Sequence, residues 1–261
     1  MRLELKNGNQ KWVIDTATCV DLSIAVDCQN GRSPKAWYID PPNKSTVHLD
    51  DWIGSVAQGG HVNFNNLRIN PHAHGTHTES LGHITPDEYP VEGLIKDYFF
   101  RALVVTLAPN QGPKGLEISL STLREKIESA DSEFWPKGPQ AIIIRTSPNS
   151  TTKRTQIYDH KGWPYLSAEA ATYLREMDIE HLLIDTPSVD PERDQGALLA
   201  HKAFWHWPES PRYGATITEF IFVPDQVDDG PYLLELQMAP IVNDASFSRP
   251  LLYQMEPLDS C

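Results

Sequence analysis

Short apolar runs rich in β-branched residues recur along the whole chain and are separated by segments rich in Pro, Gly and Asn. Such runs are typical of β-strands bounded by turns. The runs at 141–144 (Ala-Ile-Ile-Ile) and 182–184 (Leu-Leu-Ile) are continuous, as expected for strands covered on both faces. The pattern predicts strands over residues 12–15, 20–25, 61–64, 102–107, 141–146, 181–185, 215–223 and 232–240.

Apolar residues at helical spacing predict three helices, over residues 119–129, 167–178 and 194–205. Ser167 and Asp194 stand where a side chain can cap the first turn of the second and third helices. Helices alternate with strands in the second half of the chain, whereas the first hundred residues have the pattern of strands and long loops. Because no linker or change of composition divides the sequence, we predict one mixed α/β domain over residues 1–261.

Charge and cysteine content restrict the partners of this chain. It carries 22 basic and 35 acidic side chains, a formal net charge of −13, and no Lys/Arg cluster, which argues against a nucleic-acid partner. No apolar run reaches the roughly 18 residues of a membrane span, and no signal-peptide pattern is present. Three sparse cysteines, Cys19, Cys28 and Cys261, suit a reducing compartment. We therefore expect a cytoplasmic protein with no membrane partner.

The segment over residues 70–84, NPHAHGTHTESLGHI, carries the strongest chemical signal. Four histidines, His72, His74, His77 and His83, fall here together with Glu79. Imidazole and carboxylate groups are preferred ligands of divalent cations such as Zn²⁺ and Mn²⁺. His77 and Glu79 are two residues apart, so an extended backbone directs both side chains to one side, and a turn over 80–82 can return His83 to that side.

The histidine segment favours a metal site over a simple surface loop. Gly75 allows the backbone to approach a bound ion or substrate closely. A surface loop that merely titrates is the simplest alternative for the histidines, but a carboxylate and two glycines among them favour a metal site.

Other catalytic classes have weaker support. The sequence has no Gly-x-Ser-x-Gly elbow and no Gly-rich phosphate-binding motif, and no cysteine has a nearby histidine. A serine or cysteine nucleophile is therefore disfavoured.

The histidine segment is similar to the signature of the cyclase-like family of metal hydrolases, which includes bacterial kynurenine formamidases and isatin hydrolases. That signature runs His-x-Gly-Thr-His-x-Asp-x-Pro-x-His, and the Gly-Thr-His at 75–77 and His83 match it. Glu79 stands in place of the aspartate, Leu81 in place of the proline and Ala73 in place of the first histidine. His72 and His74 flank that position, and we favour His72 as the replacement.

The resemblance continues along the chain in the family's order. Asp-Leu-Ser at 21–23, Ile-Ile-Arg-Thr at 143–146 and the segment 184–190 are similar to strands of the family. A histidine on a helix and a glutamate within a strand follow, here His201 and Glu219. The resemblance implies a single mixed-sheet β/β/α domain of the swivelling type. It also implies that the metal ligands are His72, His77, Glu79, His83, His201 and Glu219.

A metal-dependent hydrolase of a small amide, formamide or lactam is the function that the resemblance implies. One or two divalent ions, Zn or Mn, would activate a water molecule. His83 is the expected proton carrier, and Glu219 is the alternative base. The family also implies a homodimer or a homotetramer. Because the signature is altered at three positions, a catalytically silent relative that binds a metal or a small ligand is the alternative.

Overall fold

The computed structural model describes residues 1–258 except 8–9, 30, 131–133 and 136, so Cys261 lies outside the described part. The strands are β1 Arg2–Asn7, β2 Gln10–Asp15, β3 Val20–Asp21, β4 Asn43–Thr46, β5 His48–Leu49, β6 Trp52–Ile53, β7 Asn65–Arg68, β8 His77–Glu79, β9 Phe99–Leu107, β10 Asn110–Gly112, β11 Gly115–Ile118, β12 Ala141–Thr146, β13 Tyr165–Leu166, β14 His181–Ile184, β15 Thr216–Glu219, β16 Gly230–Met238, β17 Ala245–Tyr253 and β18 Glu256–Pro257. The helices are α1 Pro71–His74, α2 Leu120–Ser129, α3 Ala168–Glu176 and α4 Leu199–Trp205.

A mixed sheet closed into a seven-stranded barrel forms the centre of the domain. Its strand order is β16-β9-β12-β14-β15-β8-β17, and pairing between β16 and β17 closes the ring. The run from β9 through β12 and β14 to β15 is parallel, whereas β8, β16 and β17 pair with their neighbours antiparallel. The predicted mixed α/β domain is therefore confirmed, and its sheet is a barrel.

Alternation along the barrel strands separates two apolar cores. Val104 of β9 and Ile143 of β12 belong to the core inside the barrel. Leu103 and Ile142, one residue earlier on the same strands, belong to the core that packs against α2, α3 and α4. Since side chains of a strand point alternately to its two faces, strands buried on both faces are continuously apolar, as the runs at 141–144 and 182–184 are.

The helix predictions are confirmed for α2 and α3 and wrong at the start of α4. Ser167 caps α3, since its hydroxyl accepts a hydrogen bond from Ala170 N. Asp194 does not cap α4, because its carboxylate accepts from Gly196 N and Leu198 N in a turn that precedes the helix. The helix begins only at Leu199, five residues later than predicted.

The strand predictions miss at several places. The run at 20–25 is a strand only over Val20–Asp21. Residues 61–64 form a loop, and the strand follows at Asn65–Arg68. The predicted strand 215–223 ends at Glu219 because Phe220 has a left-handed backbone with φ 55°. Strand β17 was not predicted. Among the described residues, no helix is both long enough and apolar enough to cross a membrane.

Candidate functional site

Two neighbouring strands of the barrel supply the buried centre of the site. His77 and Glu79 lie on β8, and Glu219 lies opposite His77 on β15. All three side chains are on the helix-covered face and are almost fully buried, with exposed fractions of 0% for His77 and Glu79 and 3% for Glu219. Glu219 is held by Val189 N, which donates to its Oε1 at 2.8 Å. The two-residue spacing of His77 and Glu79 therefore does place them on one side of a strand.

Short turns on either side of β8 bring in two further histidines. His72 lies in α1, and its Nδ1 is 3.2 Å from Glu79 Oε2. His83 lies in the 3-10 helix Leu81–Ile84, and its ring stacks on that of His72 with centroids 4.2 Å apart. His74 points away from the site, since its Nδ1 accepts from Asn70 N and its Nε2 contacts Asp40 O. Of the two histidines that flank Ala73, His72 is therefore the one that faces Glu79.

Helix α4 places His201 against the same carboxylates. Its Nε2 is 3.0 Å from Glu79 Oε1, and its Nδ1 is 2.5 Å from Asp190 Oδ2. Asp190 also accepts from Ala200 N at 2.9 Å and His201 N at 3.2 Å, which makes it the acceptor at the start of α4. The sequence pattern had predicted this capping role for Asp194. One carboxylate thus both starts the helix and orients its histidine.

A further carboxylate, Asp244, was not anticipated. It precedes β17 and its Oδ2 lies 2.9 Å from His72 Nε2 and 3.3 Å from His83 Nδ1. No spacing in the sequence links residue 244 to the histidine segment, because the contact depends on the pairing of β17 with β8. A lone aspartate before a strand carries no signal of its own.

Two buried polar atoms at the centre lack a hydrogen-bond partner among the described residues: His77 Nε2 and Glu79 Oε2. His77 Nδ1 donates to Gly75 O at 3.0 Å, so in the neutral ring Nε2 is the nitrogen with the lone pair. That Nε2 lies 3.5 Å from Glu219 Oε2 and 3.9 Å from Glu79 Oε2. Ligand atoms around Zn²⁺, bound at about 2.0–2.2 Å, lie roughly 3.4 Å from one another in tetrahedral geometry. The donor set and its spacing therefore fit a divalent cation.

The histidines and carboxylates of the site shift one another's pKa values. Burial opposes a charge on His72, but its contacts with Asp244 and Glu79 outweigh burial and raise its pKa to about 10. Burial also opposes a charge on His201, yet hydrogen bonds to two carboxylates raise its pKa well above the usual value. Burial would raise the pKa of Glu79, but the surrounding histidines hold it well below the usual range. Buried carboxylates thus face positive charge, which a divalent cation also supplies.

The Gly-Thr pair before His77 is packed against neighbouring segments. A Cβ at Gly75 would stand 2.9 Å from Val26 Cγ2, so the glycine allows the segment of Val26 to approach closely. Thr76 Oγ1 accepts from Ile24 N at 2.8 Å and donates to Phe220 O at 2.5 Å. These contacts fix the backbone that presents His77.

The Cyclase family model, described as "Putative cyclase", matches residues 20–191. The chain belongs to the Cyclase family. It is similar to the kynurenine formamidase of Bacillus cereus, with 28% identity over 200 residues, 76% of this chain and 83% of that protein. It is also 28% identical over 230 residues to the kynurenine formamidase of Geobacillus thermodenitrificans, covering 84% of this chain and 98% of that one.

The fold is that of the Cyclase family too. The crystal structure of an isatin hydrolase bound to the product analogue thioisatinate has a TM-score of 0.65 at 13% identity, covering 92% of this chain and 93% of that chain. The resemblance expected from the histidine segment is therefore confirmed. The family match ends before His201, Glu219 and Asp244, so their assignment to the site rests on the distances given above.

A cavity of about 300 Å³ opens beside the histidines of this Cyclase-family chain. Its apolar wall consists of Trp37, Ile39, Ala73, Pro191 and Leu198. His72, His83 and Glu219 face it from the polar side. A larger open groove of about 840 Å³ contains none of the site residues. The smaller cavity is therefore the candidate substrate pocket, and Trp37, which the sequence did not single out, forms part of it.

Proposed function

We propose that this chain is a metal-dependent amidohydrolase that acts on a small carbonyl compound. The observation that carries the proposal is the pair of unpartnered buried atoms, His77 Nε2 and Glu79 Oε2, at the centre of a cluster of imidazoles and carboxylates. An unpaired buried carboxylate oxygen is costly, and a cation removes that cost. The family relationship and the adjacent pocket agree with this function.

Two sets of donors support one or two ions, Zn or Mn. His72, His77 and Glu79 form one set that would hold an ion, and Glu219 Oε2 lies 3.5 Å from His77 Nε2. Glu79, His83 and His201 form a second set that would hold the other ion, and His201 Nε2 lies 3.0 Å from Glu79 Oε1. When bound, such a cation polarises a carbonyl group and makes a water molecule more acidic at neutral pH.

His83 is the side chain best suited to move a proton. Its side chain is 30% exposed and lines the pocket, whereas His77 and His201 are fully buried. Its Nε2 is 3.8 Å from Glu79 Oε2, a spacing that also suits two ligands of one ion, so a role as a metal ligand competes with proton transfer at His83. Hydrolysis of an amide needs a proton on the departing nitrogen, and an imidazole near the pocket can deliver it. Glu219 is the alternative base, but Val189 N occupies one of its oxygens.

Pocket size and relatives together narrow the substrate class. A cavity of about 300 Å³ with an indole and two aliphatic side chains in its wall suits a small flat molecule. The similar proteins from two bacteria are named kynurenine formamidases, and the structural neighbour is an isatin hydrolase. We therefore propose aryl formamides and small aryl lactams as the substrates to test first.

The test combines metal analysis with turnover. Tag-free wild type should hold about one or two Zn or Mn ions per chain and hydrolyse an aryl formamide or isatin. His77→Ala and Glu219→Gln should lose both metal and activity. His74→Gln, which changes a histidine of the same segment that faces away from the site, is the matched control and should retain both.

Each other outcome has a defined meaning. A wild type that binds no ion even when Zn²⁺ and Mn²⁺ are supplied refutes a metal-dependent hydrolase. Stoichiometric metal with no turnover of amides, lactones or esters supports the catalytically silent relative instead.

A further inference from the structure

The backbone fixes Asp244 next to the histidine segment. Ser80 N donates to Asp244 O at 2.9 Å, immediately after β8 ends. The next residue, Ala245, is the register partner of Glu79. Asp244 therefore immediately precedes a paired strand, and its position relative to Glu79 is set by the pairing of Ala245 with Glu79 and by the hydrogen bond from Ser80 N.

The three histidines closest to Glu79 and Glu219 share one arrangement. In each of these histidines, one ring nitrogen contacts an oxygen other than those of Glu79 and Glu219, while the other ring nitrogen faces these two glutamates. His77 uses Gly75 O, and His201 uses Asp190, so both present Nε2. His72 is turned the other way: its Nε2 lies 2.9 Å from Asp244 Oδ2 and its Nδ1 faces Glu79. An outer acceptor that fixes the tautomer of a ligating histidine is a regular part of metal sites.

We propose that Asp244 is a positioning residue that holds His72 as the Nε2–H tautomer and thereby directs its Nδ1 lone pair toward His77 and Glu79. This inference rests on the proposed function. It explains how a histidine one position away from the family's first ligand can serve this centre. His83 Nδ1 also contacts Asp244 Oδ2, but at 3.3 Å, so the shorter contact assigns the carboxylate to His72.

Metal affinity measures this role without reference to turnover. Apo-protein is titrated with Co²⁺ and with Zn²⁺ against a chromophoric chelator, and the Co²⁺ absorption spectrum is recorded. Asp244→Ala should weaken binding about 10–100-fold, as loss of such outer acceptors does. Asp244→Asn keeps an oxygen that can accept from Nε2–H and should recover part of the affinity. In a His72→Ala background, Asp244→Ala should have little further effect.

The controls separate this role from general damage. Asp229→Ala removes a carboxylate whose side chain is 28% exposed, against 29% for Asp244. Asp229 forms its ion pairs with Lys126 and Arg145, away from the histidines. It should leave Co²⁺ affinity unchanged, and thermal unfolding of each variant verifies that it is folded.

Two results overturn the inference, and they are distinguishable. If wild type binds neither Co²⁺ nor Zn²⁺, the proposed function fails and the positioning role fails with it. If wild type binds metal and Asp244→Ala binds it equally well, only the positioning role is wrong. The same holds if the loss of affinity caused by Asp244→Ala persists in the His72→Ala background and vanishes in the His83→Ala background.

Discussion

Acid should destabilise this protein through one buried histidine outside the site. His181 lies on β14 with an exposed fraction of 3%, and its Nδ1 is 2.8 Å from Thr216 Oγ1. Its ring packs 4.1 Å from the ring of Phe100. Burial, with the positive charge of Arg212, lowers the pKa of His181 from 6.5 to about 4, even though the Glu180 carboxylate is 3.9 Å away.

The sign and size of the effect follow from proton linkage. Between pH 6.5 and 4, the unfolded chain binds a proton at this imidazole that the folded protein excludes, so the free energy of unfolding falls as pH falls. Each pKa unit corresponds to about 1.36 kcal/mol, so His181 contributes a loss of about 3 kcal/mol below pH 4. At pH 5 the loss is already about 2 kcal/mol.

The variant His181→Asn isolates this contribution. The asparagine amide can keep the hydrogen bond to Thr216 but does not titrate. Urea unfolding of chelator-treated wild type and variant, followed by tryptophan fluorescence at pH 7.5 and 5.0, gives the two differences in free energy. The variant should lose about 2 kcal/mol less than wild type over this interval. His61→Asn, at an exposed position, controls for the loss of an imidazole. Equal losses in wild type and His181→Asn would refute the reasoning.

Three further predictions concern the site. Asp190→Asn should lower Zn²⁺ affinity about 10–100-fold. The amide N–H of the asparagine can face His201 Nδ1, which moves the ring proton to Nε2, the nitrogen that faces Glu79. An unchanged dissociation constant would contradict this. Zn²⁺ binding should release about two protons per chain at pH 7, because the pKa values of His72 and His201 are raised and a ligating imidazole must lose its second proton. A pH indicator in unbuffered solution measures the release. No release would be incompatible with ligation by these two rings. Gly75→Ala should lower the free energy of unfolding by about 1–3 kcal/mol in urea titration, because its Cβ would crowd Val26; unchanged stability would mean that the neighbouring segment yields.

Local pattern was sufficient for much of the fold. The strand predicted over 141–146 from the apolar run at 141–144 is β12 over its whole length, and the serine before α3 caps that helix as predicted. Strand β17 escaped prediction because Ser-Arg-Pro at 248–250 interrupts its apolar residues. The end of β15 escaped because a left-handed Phe220 is a response to tertiary packing, which residue type alone does not indicate.

For the candidate site too, residues linked by backbone periodicity were predictable from the sequence, and residues brought in by tertiary contacts were not. The spacing of His77 and Glu79 predicted that they share one side of a strand, since that follows from backbone periodicity. Asp190 and Asp244 act through hydrogen bonds to histidines of other segments, and no periodicity links such pairs. Whether His83 and Glu219 act in catalysis stays a prediction, as do the homodimer or homotetramer, the cytoplasmic location and the absence of a nucleic-acid partner.

The closure of the barrel sets the order in which this protein can mature. Strand β8, early in the chain, pairs with β15 and β17 near its end, and the contact between His72 and Asp244 spans 172 residues. During synthesis, the histidine segment therefore leaves the ribosome long before the strands that enclose it. Under the proposed function, a cation held by donors from both regions would be captured only after the ring of strands has formed, so metal loading would report a completed fold.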